Sequence, residues 1–304
     1  MPELPDIVVY LEALAPRVVG RRLREVDVRS PFLVRSVEPP PGALHDRLIQ
    51  GVRRIGKRIV LAFEGDLYAV LHLMIAGRLH WKPPGTLSRA RTTLAGFRFD
   101  DGLLVLTEAG SRRRASLSII SGAEALRALD PGGVDVLGAD IQTYAAALRR
   151  ENHTLKRALT DPRLFDGIGN AYSDEILHAA ALSPLALTTR LSDAEIERLH
   201  AATVRTVTSW IDRLRAELGG RFPEKVTAFR DGMAVHGRFG KPCPRCGHPV
   251  QRIRYAAREC NYCAVCQVGG RLLADRAVSR LLREDWPKAL EDLEELKDTR
   301  RRPM

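Results

Sequence analysis

The rhythm of apolar and polar positions changes twice along the chain. From Pro5 to Val19 apolar residues recur at helical spacing, which predicts an amphipathic helix near the amino terminus. Shorter apolar runs follow at Arg58 to Phe63, Tyr68 to Leu73, Ala95 to Phe99 and Leu103 to Thr107, and these read as strands. Turn chemistry separates the runs at Pro39 to Gly42, at Asp66, at Pro83 to Gly85 and at Asp100-Asp101-Gly102. Residues 1–130 are therefore expected to form a β-rich domain whose strands close into a sandwich or barrel.

Beyond the breaker Asp130-Pro131-Gly132-Gly133 the spacing becomes helical, through Ile141 to Leu148, Leu155 to Leu159, Ala171 to Ala181 and Asp193 to Leu218. Ser192-Asp193-Ala194-Glu195 has the pattern of a helix start, and Gly219-Gly220 ends that long helix. A linker is expected near residues 130 to 139, with no internal repeat and no low-complexity tract. The longest uncharged apolar stretch, Leu67 to Gly77, is about half of the ~20 residues a bilayer crossing needs, so no membrane association is expected. Met1 to Asp6 carries two acids where a secretory signal carries basic residues, so a cytoplasmic location is expected.

Composition narrows the partner. With 45% hydrophobic and 28% charged residues the 304-residue chain is not a disordered or collagen-like protein. Lys and Arg number 48 against 37 acids, and a net charge of +11 favours a polyanion. That charge is localised: Val235 to Arg283 holds ten basic residues and two acids, so +8 of the +11 falls in 49 residues. From residue 284 to 304 the sign reverses, with seven acids and five bases. This tail reads as a solvated amphipathic helix with a frayed end at Arg300-Arg301-Arg302.

All five cysteines lie between Cys243 and Cys266, a crowding that suits a reduced compartment and a metal better than a disulfide framework. Cys243 and Cys246, then after sixteen intervening residues Cys263 and Cys266, form two C-x2-C knuckles, the spacing of a four-thiolate zinc ribbon. Four thiolates leave no open coordination position, so one structural Zn2+ is expected, and no organic cofactor. Cys260 is left over: it could replace Cys263 as a ligand, but the paired spacing would then be lost, so a free thiol is favoured. Arg245, Arg252, Arg254 and Arg258, interleaved with Tyr255 and Tyr262, favour contact with DNA over a merely solvated basic hairpin.

Three motifs occur in order: Pro2-Glu3-Leu4-Pro5-Asp6; Gly167-Ile168-Gly169-Asn170-Ala171-Tyr172-Ser173-Asp174-Glu175-Ile176; and His236-Gly237-Arg238 leading into the cysteine hairpin. Together, from Pro2 to Gln267, the chain resembles the formamidopyrimidine-DNA glycosylase and endonuclease VIII family of base-excision repair enzymes. The resemblance implies an α+β protein with a β-sandwich catalytic domain at 1–130 and a helix-two-turn-helix domain at 131–234. A zinc-finger β-hairpin at 235–283 and the tail at 284–304 would follow, with damaged double-stranded DNA bound across a cleft by a monomer. The implied activity removes oxidised bases and cleaves the abasic site by β or β,δ-elimination. The competing readings are a non-catalytic binder of damaged or structured DNA with the same fold, and an RNA-binding zinc-ribbon protein.

The resemblance also assigns residues. Removal of Met1 would leave Pro2 as a secondary amine with an ordinary pKa of about 8. That amine would attack the anomeric carbon, displace the base and form a cationic imine with the opened sugar. Glu3 would assist ring opening and proton transfer, Lys57 would contact phosphate and aid catalysis, and Asp6 is a further catalytic candidate. Lys156 and Asn170 match DNA-contacting positions, with Gly167 and Gly169 allowing a tight turn into a helix start that favours phosphate. Arg258 matches the finger arginine that holds phosphates around an everted nucleotide. The loops that fill the vacated stack read Met74-Ile75 and Arg112-Arg113-Arg114, with Ile75 at the family's Met position, Met74 beside it, Arg113 retaining the arginine and Arg114 replacing an aromatic. Asp6 for the usual Glu, and Cys260 and Asn261 at the finger tip, are further departures.

Overall fold

In a computed structural model of the chain, the helix expected after Pro5 forms over Leu4–Val18 (α1) and buries Leu4, Ile7, Tyr10, Leu14 and Val18, spaced by three or four residues. Described are residues 1–110, 113–227, 229–255, 258–274 and 287–292, Tyr255 and Arg258 by their backbones alone. The chain divides into two units, Met1–Gly133 with Thr208–Ala228, and Val134–Val207 with Phe229–Met304.

The first unit is built on nine short strands: β1 Arg22–Leu23, β2 Glu25–Val28, β3 Arg47–Ile55, β4 Arg58–Phe63, β5 Leu67–His72, β6 Gly77–Lys82, β7 Thr93–Phe99, β8 Gly102–Glu108 and β9 Ser116–Ser121. They pair antiparallel into two sheets, ordered β1-β3-β4-β5-β9 and β2-β7-β8-β6. Ile59, Leu61 and Phe63 alternate along β4 into the same core as Phe97, Phe99, Leu104 and Leu106 of the second sheet and Tyr10 of α1. Val60 points the other way and packs with Val70 and Leu126 from a short helix, α2, Ala123–Arg127. Each fully buried Leu or Phe is worth roughly 1.5–3 kcal/mol, so a one-residue slip, which would turn the whole set outward, is strongly excluded. The β-sandwich read from the sequence is thus formed.

The second unit is helical, with a metal-type hairpin. Its helices are α3 Ile141–Arg149, α4 Leu155–Thr160 and α5 Asn170–Ala179. Asp140 caps α3 by accepting the Thr143 N–H at 2.8 Å, and Thr154 caps α4. The long helix α6 covers Asp193–Leu218 as expected, and Ser192 and Glu195 form its reciprocal capping box. Its stretch from Thr208 belongs to the first unit, where Arg215 pairs with Glu12 of α1 at 2.6 Å. The hairpin consists of β10 Gln251–Tyr255, β11 Arg258–Tyr262 and a short helix α7, Ala264–Val268. Of the acidic tail only 287–292 is described, and there Leu290 is buried against Ile253, Tyr262, Ala264 and Val268; the remainder lies outside the described residues. Among the described residues no helix is long and apolar enough to cross a membrane.

Candidate functional site

Pro2 and Glu3 are buried at the head of α1. Glu3 is the residue before the helix: its N–H donates to Asp6 Oδ2 at 2.9 Å while its own carboxylate accepts the Asp6 N–H, a reciprocal capping box. Burial holds the Met1 amine below its ordinary range; Glu3 opposes that shift, Arg78 adds to it, Asp6 opposes it and Lys57 adds to it. Glu3, Asp6 and Lys57 are therefore gathered within electrostatic reach of the amino terminus. Arg78 joins them without having been singled out in the sequence, although it directly follows the Met74–Gly77 loop; its guanidinium donates to the Ile75 and Gly77 carbonyls at 3.1 and 2.6 Å. Lys57 and Gly56 (φ +61°) make the two-residue turn joining β3 to β4, closed by the pair Ile55 and Arg58.

Two loops of the same unit carry the expected wedge residues. Gly77 N–H bonds the Leu73 carbonyl at 2.8 Å, and a Cβ on Gly77 would fall 2.3 Å from that oxygen, so only glycine closes the turn. The turn leaves Ile75 60% exposed and Met74 at φ +52°. Arg113 is also exposed, and its guanidinium donates to the Arg91 carbonyl. Glu108, buried at the end of β8, holds this second loop by accepting the N–H groups of Arg114 at 2.9 Å and Ala115 at 3.0 Å. Glu108 was not singled out in the sequence; the signal available was an acid closing an apolar strand ahead of an arginine run. Ser111 and Arg112 lie outside the described residues. At the end of β5, His72 pairs across the sheet with Arg58. Burial, and then the charges of Arg58 and Lys57, push its pKa down to about 4, so it is neutral near pH 7.

In the second unit Gly167, at φ +83°, turns the chain toward α5, and Gly169 caps the helix in an extended conformation. Asn170 opens α5 and its side-chain N–H donates to the Glu259 carbonyl at 2.9 Å. Lys156 is brought to the same place, but its ammonium donates to the Asn170 carbonyl at 2.6 Å, Ser173 Oγ at 2.8 Å and Asp174 Oδ1 at 2.5 Å. Asp174, fully buried, also binds His236 Nδ1 at 2.8 Å and the Asn261 N–H at 3.1 Å. Glu175 accepts N–H groups from Ala234, Val235 and His236 at 2.6, 2.9 and 2.9 Å; burial pushes its pKa up against the pull of those three donors. These two acids fasten the approach to the hairpin onto α5, a role the motif Ser173-Asp174-Glu175 did not disclose. Arg258 opens β11, and its side chain lies outside the described residues.

Cys243, Cys246, Cys263 and Cys266 bring their sulfurs within 4.8 Å of one another, with Cys243 to Cys266 at 3.9 Å and Cys246 to Cys263 at 3.4 Å. A tetrahedron with Zn–S bonds of about 2.3 Å has edges of about 3.8 Å, so this donor set fits zinc. Cys260 stands outside the group, buried on β11. Burial pushes its thiol pKa well above the ordinary value, and a hydrogen bond to Asp174 adds to the rise.

Known proteins are similar to this chain. Three family models match: the formamidopyrimidine-DNA glycosylase N-terminal domain over residues 1–116, the H2TH domain of the same glycosylase over 133–217, and a zinc finger found in FPG and IleRS over 240–268. The formamidopyrimidine-DNA glycosylases of Heliobacterium modesticaldum and Thermus thermophilus are each 34% identical, over 88% and 89% of this chain and 100% of theirs. An uncharacterised formamidopyrimidine-DNA glycosylase-like protein of Mycobacterium tuberculosis is 41% identical over 52% of this chain and 96% of its own. Among solved structures, the Lactococcus lactis glycosylase bound to DNA containing Fapy-dG superimposes with a TM-score of 0.77 at 26% identity, covering 88% of this chain and 100% of that one. The same enzyme bound to DNA with an abasic site gives 0.76 at 25% identity, covering 88% and 99%.

Proposed function

The chain belongs to the formamidopyrimidine-DNA glycosylase and endonuclease VIII family, and from that premise we propose that Pro2, freed by removal of Met1, is the nucleophile of a base-excision repair DNA glycosylase and abasic-site lyase. The observation that carries this reading is the setting of the amino terminus: Pro2 is buried, and at the preceding Met1 amine burial lowers the pKa while Glu3, Arg78, Asp6 and Lys57 all act on it. Burial disfavours a charged amine, so a Pro2 nitrogen exposed there by loss of Met1 is favoured in its free, nucleophilic form. The Pro2 nitrogen bonds to the anomeric carbon as the glycosidic bond breaks and its electron pair leaves with the base. Ring opening then gives an iminium, and loss of the neighbouring sugar proton expels the 3′ phosphate. Glu3, adjacent to the nitrogen, is suited to move the proton during ring opening.

On this reading Lys57 of the first unit and Asn170 of the second bind backbone phosphate, Arg258 holds the phosphates beside the everted nucleotide, and Ile75, Met74 and Arg113 fill the vacated stack. The exposure of Ile75 and Arg113 supports the last assignment. Lys156 acts from behind, because its three ammonium bonds are satisfied inside its own unit and fix the start of α5 for Asn170. One zinc ion, held by Cys243, Cys246, Cys263 and Cys266, is structural: it supplies the cross-link of the hairpin and no reacting position. The functional division follows the sequence, with catalytic, helical and metal-stapled parts meeting near residues 131 and 235, and the substrate is damaged double-stranded DNA.

Borohydride reduction on a duplex carrying an abasic site tests the nucleophile. The processed protein should give a covalent adduct that peptide mapping places on Pro2, and a permanent one-residue extension before Pro2 should abolish it. An adduct of equal yield in the extended chain would overturn the assignment.

A further inference from the structure

Four thiolates around a divalent cation carry a net charge of −2, and N–H groups aimed at sulfur offset that excess. Within the hairpin the Cys266 N–H points at Cys263 Sγ, 3.4 Å away. One further donor comes from outside the hairpin. His178, in the last turn of α5, places Nε2 3.2 Å from Cys243 Sγ, and both side chains are buried. The surrounding hydrogen bonds keep it there. Arg245, between the first two cysteines, donates to the Ala179 carbonyl at 3.2 Å. Gln267 takes the Cys263 N–H on its Oε1 and donates from Nε2 to the Leu182 carbonyl, both at 2.8 Å. Each knuckle is thus pinned to the end of α5 or the turn after it.

We propose that His178 is an outer-sphere partner of the zinc centre: in the tautomer protonated at Nε2 it donates to the Cys243 thiolate, slows metal loss, and couples the ion to the helix that begins at Asn170. Cys243 is the ligand so served because its sulfur is the one that His178 Nε2 reaches, while His178 is not among the four residues whose donor atoms cluster for the ion. The proposal rests on the zinc assignment above and is independent of the chemistry at Pro2.

The test uses the full-length zinc-loaded protein and a chromogenic chelator. His178→Phe keeps the ring's bulk and removes the donor; it should release zinc faster and bind it 10- to 100-fold more weakly, the range of affinity lost when such supporting partners are removed. His178→Gln retains an N–H near the same position and should fall between Phe and wild type. In the cobalt-substituted protein the thiolate-to-metal charge-transfer band should move to longer wavelength in His178→Phe, since an unbonded sulfur gives up its electrons more readily. That band is read on folded protein, so it reports even where a variant is less stable. Zinc release and band position unchanged from wild type in His178→Phe would overturn the role of His178 alone. A purified protein that binds no zinc would overturn the metal assignment as well.

Discussion

Asp6 shows how one carboxylate is committed by its neighbours. It is 1% exposed, and its oxygen is bonded to the Glu3 N–H, the first orphan donor of α1. Asp6→Ala removes that acceptor and should cost about 1 kcal/mol, the usual worth of a helix cap, read as a lower denaturant midpoint. Asp6→Asn keeps an acceptor and loses only the charge near the positive helix end, so its loss should be the smaller. An Asp6→Ala midpoint equal to wild type would show that the cap contributes nothing. Legibility at this scale depended on chain distance. Glu3 and Asp6 stand only three apart, so their capping box lay within local reach, although the sequence reads as a helix from Pro5 with both acids as catalytic candidates. Lys156, by contrast, gave no sign that Ser173 and Asp174, 17 and 18 residues away, would surround its ammonium. The buried anchor Glu108 offered only its place, an acid closing an apolar strand ahead of an arginine run, because burial of a lone acid is a property of the fold rather than of its neighbours in sequence.

Strands and helices were legible where one period dominates. β4 is an unbroken apolar run bounded by turns and α6 keeps one helical pattern from Asp193 to Leu218, so both were expected at their observed bounds. β3 was harder to read: Arg47, Gln50, Arg53 and Arg54 interrupt its apolar residues, and what makes it a strand is pairing with β1 and β4. The division of α6 near Thr208 was not visible either, since the pattern stays the same while the packing partners change. The β4-β5 pair yields a pH prediction. His72 ends β5 with its pKa pushed down to about 4, first by burial and then by Arg58 and Lys57, against an ordinary value of 6.5. Between those values the unfolded chain binds a proton that the folded chain does not, so stability falls as pH drops from 6.5 towards 4 and this contribution levels off below. His72→Gln cannot take up that proton, so its unfolding free energy should fall less steeply across that window. Parallel pH profiles for variant and wild type would contradict the burial of the imidazole.

For the whole chain, the question is what holds the basic hairpin in shape. Its apolar core is small: Val235, Val250 and the ligand cysteines in one cluster, and Ile253, Tyr262, Ala264 and Val268 with Leu290 in another. A structural four-cysteine site supplies about 10–16 kcal/mol of folding free energy, whereas a whole domain is stable by only about 5–15 kcal/mol. Metal removal should therefore unfold the hairpin outright rather than loosen it. The two-sheet core that contains Ile59, Leu61 and Phe97 owes nothing to the cysteines and should remain. Hydrogen exchange after chelation should show protection lost over 251–262 and kept over 58–72. The same treatment should weaken DNA binding, because +8 of the net +11 lies in residues 235–283 and an unfolded hairpin cannot hold those charges against phosphate. Every phosphate that the protein no longer neutralises lowers the slope of log affinity against log salt by about 0.9, so the apo protein should bind both more weakly and with a shallower salt dependence. Re-addition of zinc should restore both quantities. Protection over 251–262 that survives chelation would mean that the apolar clusters and the hydrogen bonds to α5 suffice, and that the metal only trims the hairpin's stability.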